Sequence, residues 1–266
     1  MEKFFCKNHQ LLSEKQARIS IRERGFLFGD GIFETLKISD GKIFDFAGHE
    51  RRIRVGLQAL KFSANISDLE KNSLALIRKN KVENGILRIS ISRGIGSAGY
   101  LPTYESEPLI IIETLPPRKL PQKIRLGIST ITAPQLAFKS MNSLPYILAK
   151  IEAQEKNFFD CVMLSAEKFI TGTSSANIFW VKNGVIYTPH ESCGGVLGTV
   201  REKILKIPQK IHALKIKKVK AKISALKNAD EIFLTNSSFL VLVVDEFCNK
   251  KLQKKFGKKI LESCAK

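Results

Sequence analysis

Apolar and polar residues alternate through residues 85–93 (GILRISISR), the period of a half-buried strand. Similar runs predict strands over 109–113, 123–131, 160–165, 231–234 and 239–245. Phe33, Thr35 and Leu36 open another strand, which Asp40-Gly41 turns into a return strand over 42–46. Residues 170–180 (ITGTSSANIFW) read as a small polar turn running into a strand, with 185–188 returning after Lys182-Asn183-Gly184. Elsewhere the spacing becomes helical. A helix begins at His49 and runs through Ile53, Val55, Leu57 and Leu60, and a second covers 66–79, opened by Ser67 and Asp68. Leu144, Ile147, Leu148 and Ile151 make one apolar face of a third, and Pro145 must lie in its first turn, so it starts near 142 or 143. The mixture predicts an α/β (α+β) chain. Residues 115–122 (LPPRKLPQ) form a proline-stiffened linker between a small N-terminal α/β domain, 1–114, and a larger C-terminal domain, 123–266.

Composition narrows the function classes. The chain has 266 residues, 44% hydrophobic and 8% aromatic, which is ordinary for a globular protein. No run of apolar residues reaches membrane-span length, and MEKFFCKNHQ lacks a signal-peptide core. Five scattered cysteines without CxxC pairs fit reduced thiols in a cytoplasm better than disulfides or a metal site. The net charge is +19, but the basic runs 203–227 and 250–259 carry no interleaved aromatics for stacking bases. They read as a lysine-rich surface that helps steer a small anionic substrate, with neither nucleic acid nor membrane as partner.

Candidate chemistry is concentrated in a few places. Lys139 sits in the polar connector just before the third helix, a position suited to a lysine that anchors an aldehyde cofactor covalently. His49 and Arg52 lie three apart on one helical face, and arginine holds phosphate bidentately. Residues 194–201 (GGVLGTVR) bring Thr199 to a helix start, as a phosphate cradle would. Spacing alone favours a surface ion pair for Arg52 and treats Lys139 as one solvated cation among 44 Lys plus Arg. It leaves the 194–201 loop open between a cradle and a capped glycine turn. Gly94 to Gly99 is formally GxGxxG, yet Pro102, Pro108 and the next strand leave no room for the helix a dinucleotide fold requires. Those glycines read as a flexible loop at the rim of a site.

Seven segments, RGFLFGDGIFETL, HERRI, ISRGIGSAGY, FKSMNSLPYILAK, SSANIFW, GGVLGTVREKIL and EIFLTNSS, occur in an order and spacing that resembles the fold-type IV pyridoxal-phosphate enzymes. This is the class IV aminotransferase family, which includes branched-chain and D-amino-acid aminotransferases and aminodeoxychorismate lyase. The resemblance implies two α/β domains in the D-amino-acid aminotransferase-like architecture, pyridoxal 5'-phosphate between them, and a homodimer. It implies that Lys139 carries the cofactor and moves protons, and that Arg52, the backbone of Thr199 and Val200, and Ser237 bind the phosphate. Val196 would lie against the pyridine ring. Two departures stand out. Gly172 occupies the position of the family glutamate that partners the pyridine nitrogen, with Thr171 and Thr173 as neighbouring hydroxyls. Ala98 replaces an arginine that grips the substrate carboxylate, and Phe33 replaces a tyrosine favoured by the D-amino-acid enzymes. Arg88, Arg93 or Arg24 would have to compensate, with Tyr100 beside them. The local strings point first to aminodeoxychorismate lyase, which makes 4-aminobenzoate and pyruvate from 4-amino-4-deoxychorismate in folate precursor synthesis. The alternatives are an aminotransferase of D-amino or branched-chain substrates, or a degenerate relative that binds the cofactor or an anion without turnover.

Overall fold

The computed structural model describes residues 2–97, 99–103, 107–207 and 215–264, and the chain folds as two compact units. The first is Met1–Arg118 with Phe138–Ser143; the second is Lys119–Ala137 with Leu144–Lys266. The proline-rich linker reading put Lys139 in the C-terminal domain. Here the chain instead returns to the first unit for the six residues that carry it.

The first unit is built on a six-stranded antiparallel sheet in the order Gln10–Ser13, Phe4–Lys7, Leu109–Leu115, Gly85–Ser92, Gly31–Ser39 and Lys42–Ile43. The two N-terminal strands carry no strong alternation and were not among those expected. Along Gly31–Ser39 the period of two puts Ile32, Glu34, Leu36 and Ile38 in the core and leaves Phe33, Thr35 and Lys37 half-exposed on the other face. Helices Phe46–Ala59 and Leu69–Lys79 cover the core face. Gly56 lets the first of them come close, because a Cβ there would lie 2.8 Å from Ile32 Cγ2. Asp40 and Gly41 both have positive φ, 50° and 69°, the conformation a two-residue hairpin needs. The return strand is short because the helix already begins at Phe46, three residues ahead of the expected His49. Ahead of the strand Gly31–Ser39, Arg24–Phe28 forms a one-turn helix. The Glu23 carboxylate accepts from the Gly25 and Phe26 amides at its start, and Gly29, at φ 67°, ends it.

The second unit contains two five-stranded sheets. One has the order Ile216–Val219, Val185–Pro189, Asn177–Lys182, Glu231–Asn236, Leu240–Val243; the other Lys250–Lys251, Glu246–Phe247, Arg125–Thr132, Asp160–Leu164, Ile170–Thr173. Val162 and Ile170 from the second share a core with Ile178, Trp180 and Ile232 from the first. Where a small polar turn running into one strand was expected over 170–180, Ile170–Thr173 is itself a strand, and the turn after it carries the chain from one sheet to the other. The basic run 203–227 contains the strand Ile216–Val219 and the short helix Ser224–Lys227, while 208–214 lie outside the described residues.

Helix Leu144–Glu155 departs from its sequence reading in a more telling way. It meets Arg125–Thr132 and Asp160–Leu164 through Ala149 and Ala153, small enough for close approach. The apolar stripe stays exposed: Leu144 58%, Ile147 52%, Leu148 42% and Ile151 47%. Burying such a side chain is worth about 1.5–3 kcal/mol, so four together leave a considerable driving force unused by this chain. Among the described residues, no helix is long and apolar enough to cross a membrane.

Candidate active site

The strand Gly31–Ser39 pairs with Lys42–Ile43 only at its far end, through Ile38 and Ser39. Its first residues therefore have an open edge, and the segment around Lys139 takes it. Ile32 and Ser140 form an isolated bridge. The Phe33 amide donates to the Lys139 carbonyl at 2.9 Å, and the Met141 amide to the Gly31 carbonyl at 2.9 Å. The Lys139 backbone is thus fixed beside Phe33 and Glu34.

The Lys139 ammonium lies 4.4 Å from the Phe33 ring centroid, and the Arg88 guanidinium 4.6 Å from the same centroid. Burial pulls the Lys139 pKa down to about 8; Arg52 and Arg88 push the same way and Glu34 opposes them. Glu34 is the one charged residue on the core face of its strand. Its carboxylate accepts from Arg52 Nε and Nη2, each at 2.6 Å, and lies 2.6 Å from His49 Nδ1. Burial alone would raise the Glu34 pKa. The Arg52 charge and the hydrogen bonds from Arg52 and His49 outweigh it and hold the carboxyl at about 2. His49 and Arg52, three apart on one helix, therefore meet at one carboxylate, a partner that their spacing did not reveal.

The three arginines put forward for an anionic substrate differ sharply. Arg24 donates to Asp30 at 2.8 Å and to the carbonyls of Ser97, Gly99 and Tyr100 at 2.8–3.0 Å. Arg93 donates to Asp30 through Nε at 2.8 Å and Nη2 at 3.2 Å, and to the Leu60 carbonyl at 2.7 Å. Burial acts to raise the Asp30 pKa, yet these two arginines keep it below the usual carboxylate value. Both guanidinium groups are tied to holding the chain together. Arg88 is 39% exposed, and its carboxylate neighbour Glu113 is 4.0 Å away. Tyr100 points outward, 90% exposed. Ala98 lies outside the described residues.

In the second unit, the loop from Gly194 to Gly198 reaches the helix Thr199–Leu205. Gly194 and Gly195 adopt φ 86° and 89°, which only glycine adopts readily. A Cβ on Gly198 would sit 2.0 Å from Asn177 Oδ1. Asn177 Nδ2 holds the loop by donating to the Val196 carbonyl at 2.7 Å. Thr199 Oγ1 and Ser237 Oγ, both on buried residues, are 3.4 Å apart. Val200 is buried, Val196 half-buried. The Thr235 hydroxyl, two residues before Ser237, is buried and has no hydrogen-bond partner among the described residues. Gly172 lies in the strand Ile170–Thr173. The hydroxyls beside it are spent within the protein: Thr171 donates to the Met163 carbonyl at 3.0 Å and Thr173 to Asp160 at 3.0 Å. Asp160, wholly buried beneath this turn, escaped the sequence reading because it stands at the head of an otherwise apolar run, DCVML.

Residues 31–247 match the family model described as amino-transferase class IV. The D-alanine aminotransferase of Staphylococcus aureus (strain N315) is 30% identical over 246 residues, which cover 90% of this chain and 86% of that protein. The solved structure of 4-amino-4-deoxychorismate lyase from Pseudomonas aeruginosa superposes with a TM-score of 0.84 at 25% identity, covering 93% of this chain and 94% of the other. The branched-chain aminotransferase of the thermophilic archaeon Thermoproteus uzoniensis, solved with norvaline, shares the fold, with a TM-score of 0.91 at 20% identity and coverage of 100% and 94%. With a family match running through most of its length, the chain belongs to the class IV aminotransferases, enzymes that depend on pyridoxal 5'-phosphate.

Proposed function

We propose that this chain is a 4-amino-4-deoxychorismate lyase, and that the observation carrying the choice is Gly172. The residues present suit the cofactor. Lys139, an amine with a pKa of about 8, would carry its aldehyde. The hydroxyls of Thr199 and Ser237, with the buried and unpartnered Thr235, would take its phosphate. Arg52, already paired with Glu34, would lend positive charge, and Val196 would offer an aliphatic contact for the ring. When bound, the cofactor supplies a carbonyl that captures the substrate amine and a conjugated ring that takes up electron density.

Lys139 would take the proton from the carbon bearing the substrate amine. The enolpyruvate group then leaves, gains a proton and becomes pyruvate, and the ring left behind is aromatic 4-aminobenzoate. Amino-group exchange needs a strong electron sink, which the family carboxylate at the ring nitrogen secures. At Gly172 no side chain exists, and Thr171 and Thr173 direct their hydrogens elsewhere. Elimination driven by aromatisation tolerates that weaker sink. Arg88, the least engaged of the three candidate arginines, is proposed to meet a substrate carboxylate. Arg88→Leu is then expected to raise KM about tenfold or more while changing kcat less; the reverse split would remove it from substrate binding.

An aminotransferase acting on D-amino acids is the second reading, favoured by the 30% identity to the S. aureus D-alanine aminotransferase. Product analysis separates the two. Pyruvate and 4-aminobenzoate from 4-amino-4-deoxychorismate support the lyase. Rapid amino exchange from D-alanine without that cleavage overturns it. Gly172→Glu should raise amino exchange relative to Gly172→Ala. The alanine control is needed because any Cβ here lies 2.9 Å from the Ala176 carbonyl oxygen, so both variants strain the turn equally.

The exposed stripe of Leu144, Ile147, Leu148 and Ile151 supports a homodimer, with a second copy covering it. Ile147→Asp is expected to shift the sedimentation coefficient toward that of a single chain; an unchanged value would exclude this face as the interface.

A further inference from the structure

We propose that Asp160 is a positioning residue for the phosphate end of the cofactor, acting at a distance through two arms of hydrogen bonds. The inference rests on the reading that Thr199 and Ser237 receive the phosphate. Asp160 is fully buried at the head of its strand. Its Oδ1 accepts from the Cys161 amide at 2.8 Å, the Ser174 amide at 3.1 Å and the Ser174 hydroxyl at 2.6 Å. Its Oδ2 accepts from the Thr173 hydroxyl at 3.0 Å and the Ser175 hydroxyl at 2.7 Å. One carboxylate thus collects five donors and fixes the whole turn between the two sheets.

Two arms leave that turn. Asn236 Nδ2 donates to the Ser175 carbonyl at 3.1 Å, while Asn236 Oδ1 accepts from the amides of Ser238 and Phe239 at 3.0 and 3.1 Å. This sets the tight turn that carries Ser237. On the other side, Asn177 lies two residues beyond Ser175, past Ala176, whose amide donates to the Thr173 hydroxyl at 3.1 Å, and it holds the Val196 carbonyl at 2.7 Å. That fixes the loop delivering Thr199. The arms end on two hydroxyls 3.4 Å apart. A shift of the turn therefore alters the spacing of both hydroxyls, and groups that bind a tetrahedral anion are sensitive to small displacements.

Asp160→Asn keeps the shape but forces an NH₂ donor among groups that donate. The Ser174 amide cannot reverse its role, so the new donor must face Thr173 and Ser175. Thr173 already accepts from the Ala176 amide at 3.1 Å, and Ser175 has to turn or move.

The test compares two ligands that differ only in the phosphate. Wild type and Asp160→Asn, both stripped of cofactor, are titrated with pyridoxal 5'-phosphate and with pyridoxal, following the visible band of the lysine-bound aldehyde. Asp160→Asn is expected to weaken pyridoxal phosphate on the order of tenfold while pyridoxal changes less than about twofold. Equal weakening of both ligands, or of neither, overturns the proposal, because a merely structural loss would not distinguish them. Should Asp160→Asn not fold, Ser175→Ala decides: a smaller loss confined to the phosphorylated ligand supports the proposal, and none overturns it. Failure of the underlying reading looks different. Wild type would then bind pyridoxal as tightly as its phosphate, or would give no band with either.

Discussion

Lys139→Ala is expected to lower turnover by at least about 10³-fold, since it removes both the covalent anchor and the group that moves the proton. The visible band produced by added pyridoxal 5'-phosphate should disappear with it. Absorbance of the purified variant and a single-turnover assay with 4-amino-4-deoxychorismate check the two effects separately. A band that survived would mean that another of the chain's many lysines carries the aldehyde, and the assignment of Lys139 would be withdrawn. The pH dependence has a definite sign. With its pKa lowered to about 8, the amine is mostly charged at pH 6 and mostly free at pH 9. Only the free amine attacks an aldehyde. The rate at which stripped protein takes up the cofactor should therefore rise between these values and level off above pH 8. An ordinary surface lysine would keep rising toward pH 10.5.

What the sequence disclosed of this arrangement depends on the range of the interactions involved. The strand Gly85–Ser92 and the helices Phe46–Ala59 and Leu69–Lys79 follow from local period and sit within a few residues of where that period puts them. The placement of Lys139 ahead of a helix made it a candidate, and the resemblance of its surroundings to a family is what set it apart from the chain's other lysines. Its location in the first unit rests on pairing with Gly31–Phe33 across more than a hundred residues, and no local pattern encodes that. The same holds for Arg52. Its spacing from His49 suggested a shared face, whereas their common partner Glu34 comes from a strand and looks, in sequence, like one polar residue in an alternating run. The apolar stripe on Leu144–Glu155 was legible, but its direction was not. Ala149 and Ala153, less conspicuous by hydropathy, are what the sheet accommodates closely. Likewise Arg24, Arg88 and Arg93 are equivalent as letters; only their partners distinguish two structural ties from one guanidinium with a loose neighbour.

Glu34→Ala should be the most destabilising single change near this site, by about 3–5 kcal/mol, the usual result of breaking a buried ion pair from one side. Glu34 is 2% exposed, Arg52 10% and His49 1%, so the variant removes a carboxylate that a largely buried guanidinium and a buried imidazole share, where water does not readily take its place. Thermal unfolding measures this directly. The acid response provides a second reading. The folded-state pKa of Glu34 is about 2 against an ordinary value of 4.5, so its contribution is fully present above pH 4.5 and is lost as pH falls toward 2. Wild type should consequently lose more stability between pH 5 and 3 than Glu34→Gln does, and equal losses would show that the carboxylate carries no such linkage. The third reading connects this pair to the chemistry. Glu34 raises the Lys139 pKa against the combined effect of burial, Arg52 and Arg88. Without that negative charge the amine loses its proton more readily, and the cofactor-uptake profile of Glu34→Gln should move to lower pH than that of wild type. Stability and pH profile are then two consequences of one buried carboxylate. A variant that lost stability while keeping the wild-type profile would leave Glu34 as a purely structural partner of Arg52.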